Sequence, residues 1–132
     1  MIALDTNVLV RFLTRDDPAQ SALAADLIGS LTADAPGYLC REVVLETTWV
    51  LERAYRYPRV DVMLAIEGLL AAPELVIETA DDVGAALLAY AQGNVGFADL
   101  MVAAAARRAG AERLVTFDRR AANLPGVDLL GG

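Results

Sequence analysis

Four acidic residues are the main candidates for chemistry, because each stands at a predicted strand end or within a predicted helix. Asp5 and Asp118 follow short apolar runs that predict strands, and Asp99 begins an apolar helix. Glu46 lies inside a longer helical pattern, on a face that we expect to be largely apolar and to point inward. Since parallel strands open onto a crevice at their carboxyl ends, we expect these four carboxylates to meet there.

A cluster of carboxylates restricts the chemistry that is possible. Two bare carboxylates 4 Å apart repel by roughly 4 kcal/mol at an effective dielectric constant of 20. Such a cluster therefore needs protons, arginine or a metal ion to persist. Oxygen ligands without imidazole favour Mg²⁺ or Mn²⁺ over zinc.

Each of the four also has an ordinary structural explanation. Asp5 is compatible with an Asx turn, and Asp118 with a strand-end turn or an N-cap. Asp99 suits the first turn of a helix because of the helix dipole. For Glu46, the simplest alternative is an ion pair with a distant arginine, Arg53.

The composition excludes several classes of mechanism. All 11 basic residues are arginine, histidine is absent, and Cys40 is the single cysteine. This excludes a Ser-His-Asp triad, a Cys-His pair, a lysine Schiff base and a structural zinc site. With one cysteine no intramolecular disulfide can form, so we expect a cytoplasmic protein. A net charge of −7 disfavours general binding of nucleic acid, which would require a local basic patch or a bound cation.

The patterning predicts one α/β domain over residues 1–132. Strands and helices alternate, which favours a central parallel sheet with helices on both faces. No run resembles a signal peptide or a membrane span. Pro58 is expected to end a helix over 41–57 that buries Val44 and Trp49. The predicted strands cover residues 1–4, 38–40, 74–78, 113–117 and 127–130, and the predicted helices begin at residues 18, 41, 59, 82 and 97.

Four segments together carry a resemblance to a known family. They are residues 1–7 (MIALDTN), 43–51 (VVLETTWVL), 97–104 (FADLMVAA) and 115–120 (VTFDRR). In this order the chain resembles the PIN domain, and specifically the VapC-type toxin ribonucleases of toxin–antitoxin pairs. The segments span nearly the whole chain.

The resemblance implies a metal-dependent endoribonuclease on a three-layer α/β fold. It assigns the acidic quartet to the residues Asp5, Glu46, Asp99 and Asp118, and it matches polar positions beside the quartet to Thr6, Asn7 and Thr116. It further implies an RNA substrate, a VapB-type antitoxin whose tail covers the active site, and a homodimer.

The roles within the quartet form a hypothesis. Asp5 and Asp99 are the expected direct or water-bridged ligands of Mg²⁺ or Mn²⁺. Glu46 would hold metal-bound water or orient the attacking water, and Glu42 could share this role or take it over. Asp118 would act through water or complete a second metal site. Arg119 or Arg120 could contact an RNA phosphate.

Two other functions are compatible with the same residues. The acidic pocket could bind a basic partner peptide without catalysis. Alternatively, the chain could be a metal-dependent DNase or flap-type nuclease, although it has no strongly basic tract for a long duplex. Metal-dependent cleavage of RNA in competition with DNA distinguishes these alternatives.

Overall fold

The computed structural model describes residues 1–131, in which helices and short parallel strands alternate, and the predicted α/β class is confirmed. The chain divides into two compact units, Met1–Ala80 and a second unit that begins at Asp81. The elements in chain order are β1 (Ile2–Ala3), α1 (Thr6–Thr14), α2 (Pro18–Gly29), β2 (Gly37–Leu39), α3 (Arg41–Arg53), α4 (Arg59–Ala71), β3 (Leu75–Ile77), α5 (Ala80–Ala91), α6 (Phe97–Arg108), β4 (Leu114–Thr116) and β5 (Val127–Leu129).

The first unit contains a three-stranded parallel sheet in the order β1-β2-β3. Ile2 lies opposite Gly37, and Gly37 lies opposite Leu75. A Cβ atom on Gly37 would be 2.8 Å from the Leu31 Cδ1 atom, so a larger residue there would require the leucine side chain to move. Because the strands are parallel, Asp5 and the start of α3 follow β1 and β2 at the same edge.

Helix α1 packs against α2 and α3 and is the one helix that the sequence analysis did not predict. The start of α2 agrees with the prediction, since Asp17 accepts a hydrogen bond from the Gln20 amide and Pro18 occupies the first turn. Leu9 and Leu39 are completely buried in this unit.

The buried face of α3 differs from the predicted one. Val44 is buried as expected, but Trp49 is 58% exposed, so its predicted burial is wrong. The buried face also contains Thr47, Thr48 and Leu51. The Thr48 hydroxyl can be buried because it donates to the Val44 carbonyl oxygen at 2.9 Å.

The second unit contains the parallel pair β4-β5, in which Leu114 lies opposite Val127. Tyr90 of α5 contacts Phe97 at the start of α6 edge to face, with ring centroids 6.0 Å apart. This contact fixes the first turn of α6, and both aromatic residues are buried. Within residues 1–131, no helix combines the length and the apolar character needed to cross a membrane.

Candidate active site

Asp5 lies between β1 and α1 and is the N-cap of that helix. Its Oδ1 atom accepts a hydrogen bond from the Thr6 amide at 2.8 Å, and its main-chain oxygen accepts from the Val8 amide at 3.1 Å. The structural explanation of Asp5 as a turn residue is therefore confirmed in part. The side chain is nonetheless exposed, so the carboxylate remains accessible to a ligand.

Thr6 and Asn7 form the first turn of α1. Asn7 is exposed, whereas Thr6 is only 6% exposed. The Thr6 Oγ1 atom is buried and has no hydrogen-bond partner among residues 1–131. An unpaired buried hydroxyl is costly in a folded protein, so this atom calls for a partner such as a water molecule or a hydrated ion.

Glu46 occupies the middle of α3, but its side chain is exposed. The expectation that it points inward from an apolar face is therefore wrong. The physical reason is the rotation of the helix, which buries Thr47 and Leu51 and turns Glu46 outward. The Glu46 carboxylate forms neither a hydrogen bond nor an ion pair with any described residue, so the alternative pairing with Arg53 is not found.

A cavity of about 360 Å³ brings Asp5 and Glu46 together. One wall is the start of α1, including Thr6 and Asn7. The other wall is formed by Glu46, Val50 and Ala54, which lie four positions apart and therefore on one side of α3 and its C-cap. Glu42 is not among the residues that line the cavity, which favours Glu46 for the role that either could have taken.

The same cavity is lined by two residues that the sequence analysis did not select, Arg11 and Tyr55. The Arg11 Nη1 atom donates to the Tyr55 hydroxyl at 3.1 Å and to Asp16 Oδ1 at 3.2 Å. The Tyr55 hydroxyl donates to Asp16 Oδ2 at 2.5 Å. This bond, together with those from Thr14 and Arg11, holds the pKa of the Asp16 carboxyl below its usual value.

In the second unit, Asp99 lies in the first turn of α6, as predicted. Gly96 precedes this helix, and a Cβ atom there would be 3.4 Å from Asp99 Oδ2. Partial burial raises the pKa of the Asp99 carboxyl, and the negative charge of Asp118 raises it further. The two carboxylates therefore interact electrostatically.

Asp118 follows β4 and lies two residues before Arg120, the residue that precedes the short 3-10 helix Ala121–Asn123. Its Oδ1 atom accepts hydrogen bonds from the Arg120 amide at 2.8 Å and from the Ala121 amide at 3.1 Å. The Thr116 hydroxyl accepts a hydrogen bond from the Asp118 amide at 3.0 Å, and the role of Thr116 beside the acidic residues stays a prediction. The Arg119 side chain is exposed.

The structure thus describes the four acidic residues as two pairs, Asp5 with Glu46 in the first unit and Asp99 with Asp118 in the second. Within residues 1–131 there is no group of three or more histidine, cysteine, aspartate or glutamate side chains that could hold a metal ion. The assembly of all four into one site remains a prediction.

The donor atoms fit a hard divalent cation. Carboxylates and a hydroxyl are the oxygen ligands that Mg²⁺ and Mn²⁺ prefer, and Mg²⁺ usually keeps several water molecules. The unpaired Thr6 hydroxyl, which lies beside Asp5, offers a partner to one such water molecule. The repulsion that raises the pKa of Asp99 is of the kind that a cation relieves.

Comparison with known proteins gave matches that extend over most of the chain. The VapC ribonuclease of Aquifex aeolicus (strain VF5) is 24% identical to the chain over 120 residues, which cover 91% of this chain and 89% of the relative. The sequence model of the PIN domain matches residues 2–127, a range that contains all four acidic residues. Because this match extends over nearly the whole chain, the chain belongs to the PIN domain family.

Proposed function

We propose that this protein is a metal-dependent endoribonuclease of the VapC type, which acts as the toxin of a type II toxin–antitoxin pair. The observation that carries the proposal is the cavity in which the exposed carboxylates of Asp5 and Glu46 lie beside the unpaired Thr6 hydroxyl. The family match and the VapC relative from Aquifex aeolicus support ribonuclease chemistry in general.

The proposed cofactor is Mg²⁺ or Mn²⁺, held by Asp5 and Asp99 directly or through water. When bound, the ion would polarise the scissile phosphate and lower the pKa of the attacking water. Glu46 would accept a hydrogen bond from that water, because its carboxylate is exposed in the cavity and has no partner among the described residues. Asp118 would contribute through water or at a second ion.

The proposed reaction is hydrolysis of a phosphodiester bond. The oxygen of water forms a new bond to phosphorus while the bond from phosphorus to the 3′ oxygen breaks. Glu46 accepts a proton from the attacking water, and the departing 3′ oxygen takes a proton from a solvent water molecule. The proton on Glu46 then neutralises the hydroxide that this leaves. The products are a 5′-phosphate and a 3′-hydroxyl, and atoms and charge balance without any further reactant.

The proposed partners are RNA, a VapB-type antitoxin and a second copy of the chain. A second cavity, of about 270 Å³, supports binding of an apolar partner segment, since Leu23 and Leu27 line it. Leu23 is 70% exposed, so its side chain is accessible to such a segment. We place this pair in the cytoplasm, since the chain has a single cysteine and needs no disulfide.

The test is cleavage of labelled single-stranded RNA, in competition with DNA of the same sequence. We expect wild-type protein to cleave RNA with Mg²⁺ or Mn²⁺ and to stop when EDTA is added. Asp5→Asn should lower the rate by at least a hundredfold, because the carboxylate charge is lost. Asp34→Asn is the matched control, since Asp34 is exposed in a loop away from the cavity.

The outcomes separate the alternatives. Preferential cleavage of DNA would mean that the protein is a deoxyribonuclease. A protein that binds a basic peptide tightly but neither takes up metal nor cleaves RNA would be a binding module. If Asp5→Asn cleaves as fast as Asp34→Asn, the assignment of Asp5 is wrong.

A further inference from the structure

We propose that Arg11 positions the RNA substrate by binding a phosphate at the cavity that contains Asp5 and Glu46, and that Tyr55 and Asp16 hold its guanidinium in place. The inference rests on the proposed ribonuclease function. It adds a residue that lies outside the acidic quartet and that no sequence motif selected.

The guanidinium of Arg11 is fixed on one side and free on the other. Its Nε atom donates to Gln20 Oε1 at 2.7 Å, and its Nη1 atom donates to Tyr55 and Asp16. Its Nη2 atom has no partner among residues 1–131. Donors of this kind, held rigidly in a planar fork, are suited to a phosphate oxygen.

An acidic protein that binds RNA requires a positive charge at the binding site, and Arg11 provides one. Among the described residues that line the cavity, Arg11 is the one cation. Its side chain is 31% exposed, so its charge is less screened than that of a fully exposed arginine. Asn7 and Arg11 line both this cavity and the neighbouring one, which places the guanidinium where the two meet.

Tyr55 and Asp16 hold the Arg11 guanidinium in position. The Tyr55 hydroxyl accepts from Arg11 and donates to Asp16, so it fixes the orientation of both charged groups. The Thr14 hydroxyl is also within 3.0 Å of Asp16 Oδ1. A purely structural role would need only the link that these bonds make between Arg11 of α1 and the segment that follows α3. The proposal requires in addition that RNA binding depends on Arg11.

The experiment measures binding of fluorescein-labelled single-stranded RNA in EDTA, where no cleavage occurs, over a range of salt concentrations. For Arg11→Gln we expect affinity to fall about tenfold. We also expect the slope of log K against log salt to decrease by about 0.7, the value for one phosphate contact in a single strand. Arg113→Gln is the control, because Arg113 is also ion-paired, at 3.1 Å from Asp128, but lies in the second unit.

Two further variants distinguish the effect of the Arg11 charge from the effect of its hydrogen-bond geometry. They also provide a test if Arg11→Gln does not fold. Arg11→Lys should keep the wild-type salt slope but bind RNA more weakly, since it lacks the planar fork. Tyr55→Phe should also keep the slope, with affinity lowered severalfold. Thermal unfolding is measured for each variant, and if Arg11→Gln does not fold, Arg11→Lys and Tyr55→Phe decide the question by their affinities.

Failure of this inference can be told from failure of the proposed function. The inference is overturned if wild-type protein binds no RNA in EDTA, or if Arg11→Gln matches Arg113→Gln in affinity and slope. It is overturned equally if the two further variants bind like wild type. In cleavage assays, Arg11→Gln should raise KM more than it lowers kcat, whereas the proposed function fails if wild-type protein does not cleave RNA with Mg²⁺ or Mn²⁺.

Discussion

The carboxyl of Asp99 carries a raised pKa because it is partly buried and because the negative charge of Asp118 lies near it. Two acidic residues from distant parts of the sequence therefore influence each other within the second unit. Such coupling disfavours the charged form of Asp99 and makes it receptive to a proton or a cation. It predicts measurable consequences for titration and for stability.

Removal of the Asp118 charge should lower the pKa of Asp99. In Asp118→Asn, one cause of the raised pKa is lost while burial remains, so the pKa of Asp99 should move toward 3.8 without reaching it. The measurement is a ¹³C NMR titration of the Asp99 carboxyl in EDTA. Asp34→Asn serves as the control, and an Asp99 titration that is unchanged in Asp118→Asn would show that the two carboxylates do not interact.

The raised pKa of Asp99 also predicts how stability depends on pH. A carboxyl whose folded-state pKa lies above its unfolded value contributes stability below the unfolded value, and this contribution is lost as the pH rises through the folded value. Asp99→Asn should therefore stabilise the metal-free protein at pH 7, by at most about 1 kcal/mol because solvent screens the site. The gain should vanish below pH 3.8. Urea denaturation at both pH values checks this, and equal effects at both would contradict it.

The pKa of Asp16 should respond to the Tyr55 hydroxyl, which is the main cause of its lowered value. Tyr55→Phe removes that hydrogen bond, so the Asp16 pKa should rise toward 3.8. A lowered carboxyl pKa contributes stability above the unfolded value and loses it as the pH falls through the folded value. Tyr55→Phe should consequently show a flatter stability profile below pH 4 than wild type. Tyr57→Phe is the control, and identical profiles for all three proteins would exclude this bond.

Two buried threonines with unpaired hydroxyls form a matched pair of tests. Thr6 and Thr47 both bury an Oγ1 atom without a partner, but only Thr6 is among the residues that line the cavity with Asp5 and Glu46. Thr47→Val should leave cleavage unchanged and should be neutral or stabilising by up to about 1 kcal/mol, since it removes an unsatisfied group. Thr6→Val should raise the Mg²⁺ concentration needed for half-maximal activity by about tenfold. Equal activities of the two variants would show that the Thr6 hydroxyl has no role at the site.

The sequence predicted the elements that local signals define. The Asp17-Pro18 start of α2 and the strands around Gly37 and Val76 follow from capping, proline and apolar runs. Helix α1 was not predicted, because its only start signal is Asp5, which the sequence analysis interpreted as the end of a strand and a turn. The carboxylate proves to be both an N-cap and an exposed candidate ligand.

The candidate site was predicted as a set of residues, but its geometry was not. Acidic residue types near predicted element ends were sufficient to select Asp5 and Asp99. The contribution of Arg11 could not be predicted, because it depends on the packing of α1 against α3, which brings Tyr55 to it across 44 sequence positions. Periodicity in a single helix contains no such information.

The register of α3 provides the sharpest test of the packing, because the sequence pattern and the structure disagree about it. Leu51 is completely buried and Trp49 is 58% exposed, although both lie in the same helix and Trp49 is the larger apolar residue. Leu51→Ala should therefore cost about 2–5 kcal/mol of unfolding free energy through lost burial and a cavity. Trp49→Ala should cost less than Leu51→Ala, because more than half of the Trp49 surface stays in water in the folded protein. Urea denaturation of both variants decides between the two registers. A larger loss for Trp49→Ala than for Leu51→Ala would mean that α3 is rotated, in which case Glu46 would also leave the face on which it meets Asp5.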